Sequence, residues 1–146
     1  MRRFRFRLAS VLRLRSQVER VARKELAAAM ADVNTLRQQL DAAQQALSDC
    51  ADQAARGDAV GRLARALEGG MRRHMWRLDR QHKQAEQRLE GVRGEYSRKA
   101  RELKTLQRLR DQEHDVWRQD ALRAEQAELD ELAVLTQSEE QGEGTW

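Results

Sequence analysis

The chain has 146 residues, no proline, 36% charged residues and only 4% aromatic residues. Its mean hydropathy is −0.90, so it has too few bulky apolar residues for a globular core of ordinary size. The composition instead favours long helices, because Ala, Arg, Leu, Gln and Glu dominate and no proline forces a break.

Charge is distributed unevenly along the chain. Residues 1–24 have nine Lys/Arg against Glu19 alone, a net +8, and residues 72–110 have thirteen against five, also a net +8. Residues 25–71 have four against seven, a net −3, whereas residues 111–146 have two against eleven, a net −9. If the two chain ends lie side by side they partly neutralise each other, although exposed pairs stabilise by only about 0–1 kcal/mol each.

Two sequence features bear on the cellular compartment. No apolar run is long enough to cross a bilayer. The basic start lacks the unbroken apolar stretch of a secretory signal, because Arg13, Arg15 and Arg20 interrupt it. We therefore expect a cytoplasmic protein. Cys50 is the single cysteine, so no intramolecular disulfide is expected.

Apolar residues in alternating steps of three and four predict a first coiled-coil helix within residues 1–55. Its clearest seam comprises Val33, Leu36, Leu40, Ala43, Leu47, Cys50 and Ala54. The same register continues backward through Leu8, Leu12, Ala22, Leu26 and Ala29, with interruptions at Arg15 and Glu19. A second apolar line runs beside it through Val11, Leu14, Val18 and Val21. This wider stripe predicts contact with more than one partner surface.

Residues 56–70 are predicted to form a glycine-containing hinge, which includes a short helix in one of its alternatives. Glycine weakens a helix interior by about 1 kcal/mol and favours the left-handed geometry that ends a helix. Three placements of the reversal remain open: Gly57 to Gly61, Gly69–Gly70, or both ends of a short helix.

A second coiled-coil helix is predicted for residues 71–136. Its seam comprises Met71, Met75, Leu78, His82, Ala85, Leu89, Val92, Tyr96, Lys99, Leu103 and Leu106. After a register shift it continues through Leu109, Val116, Trp117, Ala121, Ala124, Leu132 and Leu135, with interruptions at Glu113 and Glu128. We expect this helix to run to about Leu135 and to fray by Gly142 and Gly144, with residues 137–146 as an acidic tail.

The predicted fold is therefore all-α, with two long helices in an antiparallel coiled-coil hairpin. A turn near residue 63 would bring Leu40 near Ala85 and Leu8 near Trp117. The last part of the second helix would then project past the first. The alternative is a straight chain that forms a parallel, purely structural homodimer.

No sequence pattern predicts catalysis, a metal or a cofactor, so we expect no enzyme. His74, His82 and His114 are never four residues apart, and His82 is better explained as a polar seam position that helps to fix the register. Cys50 occupies a seam position and is predicted to be buried.

The basic residues permit a binding alternative. Residues 72–110 could hold phosphates, but their basic residues lie within the zipper itself rather than before it, which favours a solvated charged face. We therefore expect no nucleic-acid partner, and a membrane-surface or nucleic-acid binder that works through residues 1–24 is a third alternative. Arg2, Arg3, Arg5 and Arg7 flank Phe4 and Phe6, which suits a contact with a membrane surface or an acidic protein.

Three stretches resemble flagellar export proteins of the FliJ family. They are FRFRLASVLRLRSQVERVARKELAAA at residues 4–29, YSRKARELKTLQRLRDQE at residues 96–113 and EQAELDELAVL at residues 125–135. With the length and the glycine-bearing middle, the likeness covers nearly the whole chain. It rests on the order and spacing of these stretches, because coiled-coil sequences imitate one another.

The resemblance implies a soluble component of the bacterial flagellar type III export apparatus. Family members are antiparallel two-helix coiled coils similar to the stalk of rotary ATPases. They bind the hexameric export ATPase FliI, contact the export gate protein FlhA and escort export chaperones. On this reading the protein is cytoplasmic and peripherally associated with the inner-membrane export apparatus. The equivalent stalk protein of a virulence type III secretion system is the nearest alternative.

Two binding surfaces follow as hypotheses. The paired chain ends are predicted to enter the pore of the ATPase ring through Phe4, Arg5, Phe6, Arg7, Leu8, Val11, Arg13, Leu14, Arg15, Val18, Trp117, Leu122, Leu129 and Leu132. The hinge end is predicted to bind the export gate through Leu36, Leu40, Leu47, Leu67, Met71 and Met75. Trp76 is the only aromatic residue of the hinge-proximal half.

Overall fold

The computed structural model describes the backbone of residues 3–142 and the side chains of residues 3–139. These residues form two helices: α1 spans Ala9–Ala54 and α2 spans Ala59–Gly142. The helices pack against each other, and no strand occurs between residues 3 and 142. The predicted all-α helical hairpin is confirmed.

The chain reverses within residues 55–58. Asp58 caps α2, because its Oδ1 accepts a hydrogen bond from the Gly61 backbone N–H at 3.0 Å. A Cβ atom at residue 61 would clash with the backbone carbonyl oxygen of Arg56. The turn is therefore closed by a cap and by a close backbone approach that requires glycine.

The reversal lies earlier than the expected turn near residue 63. Residues 59–70, including Gly69 and Gly70, belong to α2. No glycine among the described residues has a positive φ, so the left-handed geometry expected of the hinge glycines does not occur there. Gly69 and Gly70 are tolerated inside the helix, where an added Cβ would meet only the side chain of Arg73.

Two compact units make up the chain. We call residues 17–100 the turn unit, because they contain the reversal. We call residues 1–16 with residues 101–146 the terminal unit, because they contain both chain ends. Each unit contains part of α1 and part of α2.

In the turn unit, the buried apolar positions lie on the two predicted seams except for Ala64, which lies in the segment predicted as the hinge. The buried apolar residues are Ala22, Ala29, Cys50, Ala64, Leu78 and Leu89. Three of these six are alanines, so the helix axes can approach closely but little apolar area is buried. Glu19 of α1 bonds to Tyr96 of α2, and Cys50 of α1 bonds to Ala64 of α2, so the two helices run antiparallel here.

In the terminal unit, residues 3–8 precede α1, and Phe4 packs against His114 and Trp117 of α2. Leu103, Leu106, Leu109, Glu113, Trp117 and Ala121 are half-buried, whereas residues 122–139 are all exposed. The helix continues past the expected end near Leu135 to Gly142. Gly144 lies outside the described residues.

Candidate partner-binding surfaces

An aromatic cluster joins the N-terminal segment to α2 in the terminal unit. The rings of Phe4 and His114 meet edge to face with centroids 5.0 Å apart, and the Trp117 ring lies 5.8 Å from Phe4. The His114 and Trp117 rings are 5.7 Å apart. Phe4 and Trp117, both predicted to bind the ATPase, are half-buried in this cluster. They therefore hold the N-terminal segment on α2.

The arginines of residues 3–15 differ in their pairing. Arg15 donates a hydrogen bond from Nη1 to Oε2 of Glu102 at 2.6 Å, which links α1 to α2. Arg5, Arg7 and Arg13 are exposed and have no carboxylate partner within residues 3–139. Three of the four arginines predicted to bind the ATPase are therefore open to a partner.

Apolar residues near the start of the chain are exposed to different degrees. Phe6 and Leu8 are half-buried. Val11 and Leu14, from the second apolar line, are 39% and 59% exposed. Val18, which belongs to the turn unit, is half-buried. In the terminal unit this second line therefore lies outside the α1–α2 seam, as expected of a stripe wider than one helix can cover.

Residues 122–139 of α2, which we call the overhang, pack against no other helix among the described residues. Every side chain in this stretch is exposed. Its large apolar residues are Leu122, Leu129, Leu132, Val134 and Leu135, each at least 56% exposed. The structure therefore leaves three predicted ATPase-binding leucines uncovered and adds two further residues beside them.

The six residues predicted to bind the export gate lie in the turn unit. Five are half-buried seam residues: Leu36, Leu40, Leu47, Met71 and Met75. The sixth, Leu67, is 54% exposed and lines a groove of about 700 Å³ with Met71. The α1 side of this groove is formed by Gln39, Ala42, Ala43 and Ala46. Because alanine side chains are short, the seam remains open at this point.

Trp76 is a candidate that the seam pattern did not select. Its side chain is 73% exposed on α2. Together with Arg72, Arg73 and Arg77 it lines a shallow surface pocket of about 420 Å³. Tryptophan and arginine are enriched at binding hot spots. The sequence signal that was available is a large aromatic residue one position off the seam, among arginines.

Glu19 is buried in the turn unit although it interrupts the predicted apolar seam. It is 5% exposed, and its Oε1 accepts hydrogen bonds from Arg23 Nη2 at 2.6 Å and Arg23 Nε at 3.2 Å. The Tyr96 hydroxyl donates to the same oxygen at 3.2 Å. The hydrogen bond to Glu19 raises the pKa of the Arg23 guanidinium above its usual value, so the buried carboxylate keeps a cationic partner.

His82 and Cys50 occupy seam positions. His82 Nε2 is buried without a hydrogen-bond partner, since Glu86 Oε1 lies 3.8 Å away, beyond hydrogen-bond distance. Cys50 is 7% exposed, as predicted for a buried seam cysteine, and its Sγ donates to the Ala64 carbonyl oxygen at 3.1 Å. Among the described residues, no group of three or more His, Cys, Asp or Glu side chains could hold a metal ion.

Comparisons with known proteins identify a family over nearly the whole chain. The family model described as "Flagellar FliJ protein" matches residues 4–142. No curated protein and no solved structure matches the chain significantly. Within residues 3–142, neither helix is long and apolar enough to span a membrane.

Proposed function

Because this chain belongs to the flagellar FliJ family, we propose that it is a component of the bacterial flagellar type III protein export apparatus. It binds the hexameric export ATPase FliI, contacts the export gate protein FlhA and assists the traffic of export chaperones. It has no catalytic activity of its own and modulates the ATPase. The observation that carries this proposal is the family match over residues 4–142.

The terminal unit supports the ATPase contact. Val11 and Leu14 on α1 and the leucines of the overhang are exposed apolar residues of the kind that bury on association. Arg5, Arg7 and Arg13 of the same unit are exposed and have no carboxylate partner among the described residues. A helical element with apolar and charged faces suits insertion into a ring pore.

The turn unit supports the export-gate contact. Leu67 is exposed at the rim of an alanine-lined groove, and Trp76 is exposed among arginines. We therefore add Trp76 to the six residues predicted from the seam. The five half-buried seam residues contribute mainly by holding the helices together.

The membrane-surface alternative loses support from the packing of Phe4. Phe4, one of the two aromatic residues of the basic start, packs against His114 and Trp117 and is therefore less available for insertion into a membrane surface. We propose a cytoplasmic protein that reaches the inner membrane only through the export apparatus.

The proposal is tested by measuring how the full-length chain stimulates the export ATPase from the same cell. The triple variant Arg5→Glu, Arg7→Glu, Arg13→Glu should reduce stimulation at least about tenfold, because it reverses the unpaired charges at the proposed contact. Arg15 is left intact because it pairs with Glu102.

A matched control reverses three arginines of the turn unit that are exposed and have no ion pair among the described residues: Arg37→Glu, Arg62→Glu and Arg80→Glu. The control should stimulate the ATPase like the wild type, and circular dichroism should show equal helicity for all three chains. Equal stimulation by both variants would exclude these arginines from a contact with the ATPase ring. A wild-type chain that neither binds nor stimulates the ATPase would contradict the proposed function.

A further inference from the structure

The overhang, residues 122–139, is a regular helix whose side chains are exposed. At 1.5 Å per residue its eighteen residues span about 27 Å, or five turns. All its side chains are exposed and no other helix covers them among the described residues. This is the length at which a helix docks into a groove through several anchors.

Three leucines share one side of the overhang, with Glu125 and Thr136 on the same side. At 100° per residue, Leu122, Leu129 and Leu132 lie within about 80° of each other around the helix. Their side chains are 56%, 61% and 58% exposed. Such a stripe, at seven- and three-residue spacing, matches the anchor pattern of a helix that binds in a groove.

The overhang is also acidic. It contains Glu125, Glu128, Asp130, Glu131 and Glu139 against Arg123 alone, a net charge of −4. Arg123 pairs with Asp120 and Asp130 accepts a hydrogen bond from Gln126. The four glutamates have no ion pair within residues 3–139.

Within residues 3–139, the arginines of the basic start form no ion pair with these glutamates. The contacts that join the N-terminal segment and the start of α1 to α2 involve Glu102, His114 and Trp117, all of which precede the overhang. Residues 3–15 contain five arginines and no acidic residue. The terminal unit therefore presents two surfaces of opposite charge, the arginines of residues 3–15 and the glutamates of the overhang.

We propose that the overhang docks as a helix into an apolar groove rimmed by lysine or arginine side chains on its partner. This groove is a separate zone from the acidic surface that receives Arg5, Arg7 and Arg13. The inference rests on the proposed function, because it takes the export ATPase as the partner. It predicts that the ATPase surface that binds the terminal unit has one acidic zone and one basic zone.

The test measures association of the full-length chain with the export ATPase at low salt and at about 1 M salt, where the Debye length is about 3 Å. The variant Glu125→Lys, Glu128→Lys, Glu131→Lys should associate at least about tenfold more slowly than the wild type at low salt. The difference should shrink at high salt, because screening removes long-range attraction. Glutamate and lysine have similar helix propensities, so the overhang should stay helical.

The apolar stripe is tested with Leu129→Ser, Leu132→Ser, which should weaken binding at least about tenfold at both salt concentrations. The charge control is Glu25→Lys, Asp41→Lys, Asp52→Lys, three exposed acidic residues of the turn unit with the same total charge change. The apolar control is Val60→Ser, Leu63→Ser, which are 50% and 62% exposed. Both controls should bind like the wild type.

Three outcomes overturn the inference. If the wild type binds and the overhang variants bind equally well, the overhang is not a docking helix and the proposed function stands. If the wild type fails to bind, the proposed function fails and the inference fails with it. If the wild type dimerises in the ultracentrifuge without the ATPase and the overhang variants do not, the overhang binds the basic segment of a second copy of this chain instead.

Discussion

Tyr96 on α2 donates a hydrogen bond to the buried Oε1 of Glu19 on α1 at 3.2 Å, within an otherwise mainly apolar seam. A shift of one heptad between the helices would place Leu89 or Leu103 opposite Glu19 instead. A buried carboxylate facing leucine would lose its cross-helix donor, at a cost of about 1–3 kcal/mol. This pair therefore favours one register of α1 against α2.

The first prediction concerns this pair. Tyr96→Phe removes the hydroxyl and should lower the free energy of unfolding by about 1 kcal/mol in urea titration. The double variant Glu19→Leu, Tyr96→Leu should be at least as stable as the wild type, because apolar residues replace a buried polar cluster. Its register should be less well defined, and spin labels across the turn unit should then give a broader distance distribution. A single narrow distribution in the double variant would show that the turn alone sets the register.

The second prediction concerns the turn. Gly61→Ala should lower the free energy of unfolding by about 1–3 kcal/mol, because the added Cβ would clash with the Arg56 carbonyl oxygen and force the backbone to move. Gly57→Ala is the matched control, since an added Cβ there meets nothing within 4 Å. The control should be neutral or more stable by about 0.4–1 kcal/mol. Equal effects of the two substitutions in thermal unfolding would contradict the close approach at Gly61.

The third prediction concerns the buried nitrogen of His82. His82→Leu should raise the free energy of unfolding by about 1 kcal/mol, because it removes a buried polar atom that has no hydrogen-bond partner. Gln84→Leu, at an exposed position of the same helix, should change stability by less than about 0.5 kcal/mol. Both are measured by urea unfolding at pH 7. A clear loss of stability in His82→Leu would mean that the imidazole makes a favourable interaction in the seam.

The fourth prediction concerns Trp76. Trp76→Ala should weaken binding to the export gate protein at least about tenfold, because an exposed tryptophan among arginines supplies apolar area and stacking to a partner. Thermal stability should not change, since the side chain is 73% exposed. Leu63→Ala, at a residue 62% exposed on the same helix, serves as the control. Wild-type affinity in Trp76→Ala, measured by calorimetry, would exclude this residue from the gate contact.

Many residues of the candidate binding surfaces were predictable from the spacing of apolar residues. The three-and-four spacing identified the seam from Val33 to Ala54, and it also indicated the second line through Val11 and Leu14 that the structure leaves exposed. The same spacing did not predict a role for Trp76, because an exposed residue is not part of the apolar repeat that marks the seam. Glu19 looked like a break in the seam, since nothing local indicates that Tyr96 supplies its donor from 77 residues away.

By itself, the sequence determined two long helices, their apolar seams and the opposite charges of the chain ends. These features depend on neighbours three or four residues apart, which the linear order already contains. Only the tertiary structure decided where the chain reverses, because several glycines in residues 57–70 permitted a turn and the Asp58 cap with the Gly61 approach selected one. That choice then decided the long-range pairs, such as Phe4 with Trp117, and the residues of α2 left without a partner helix.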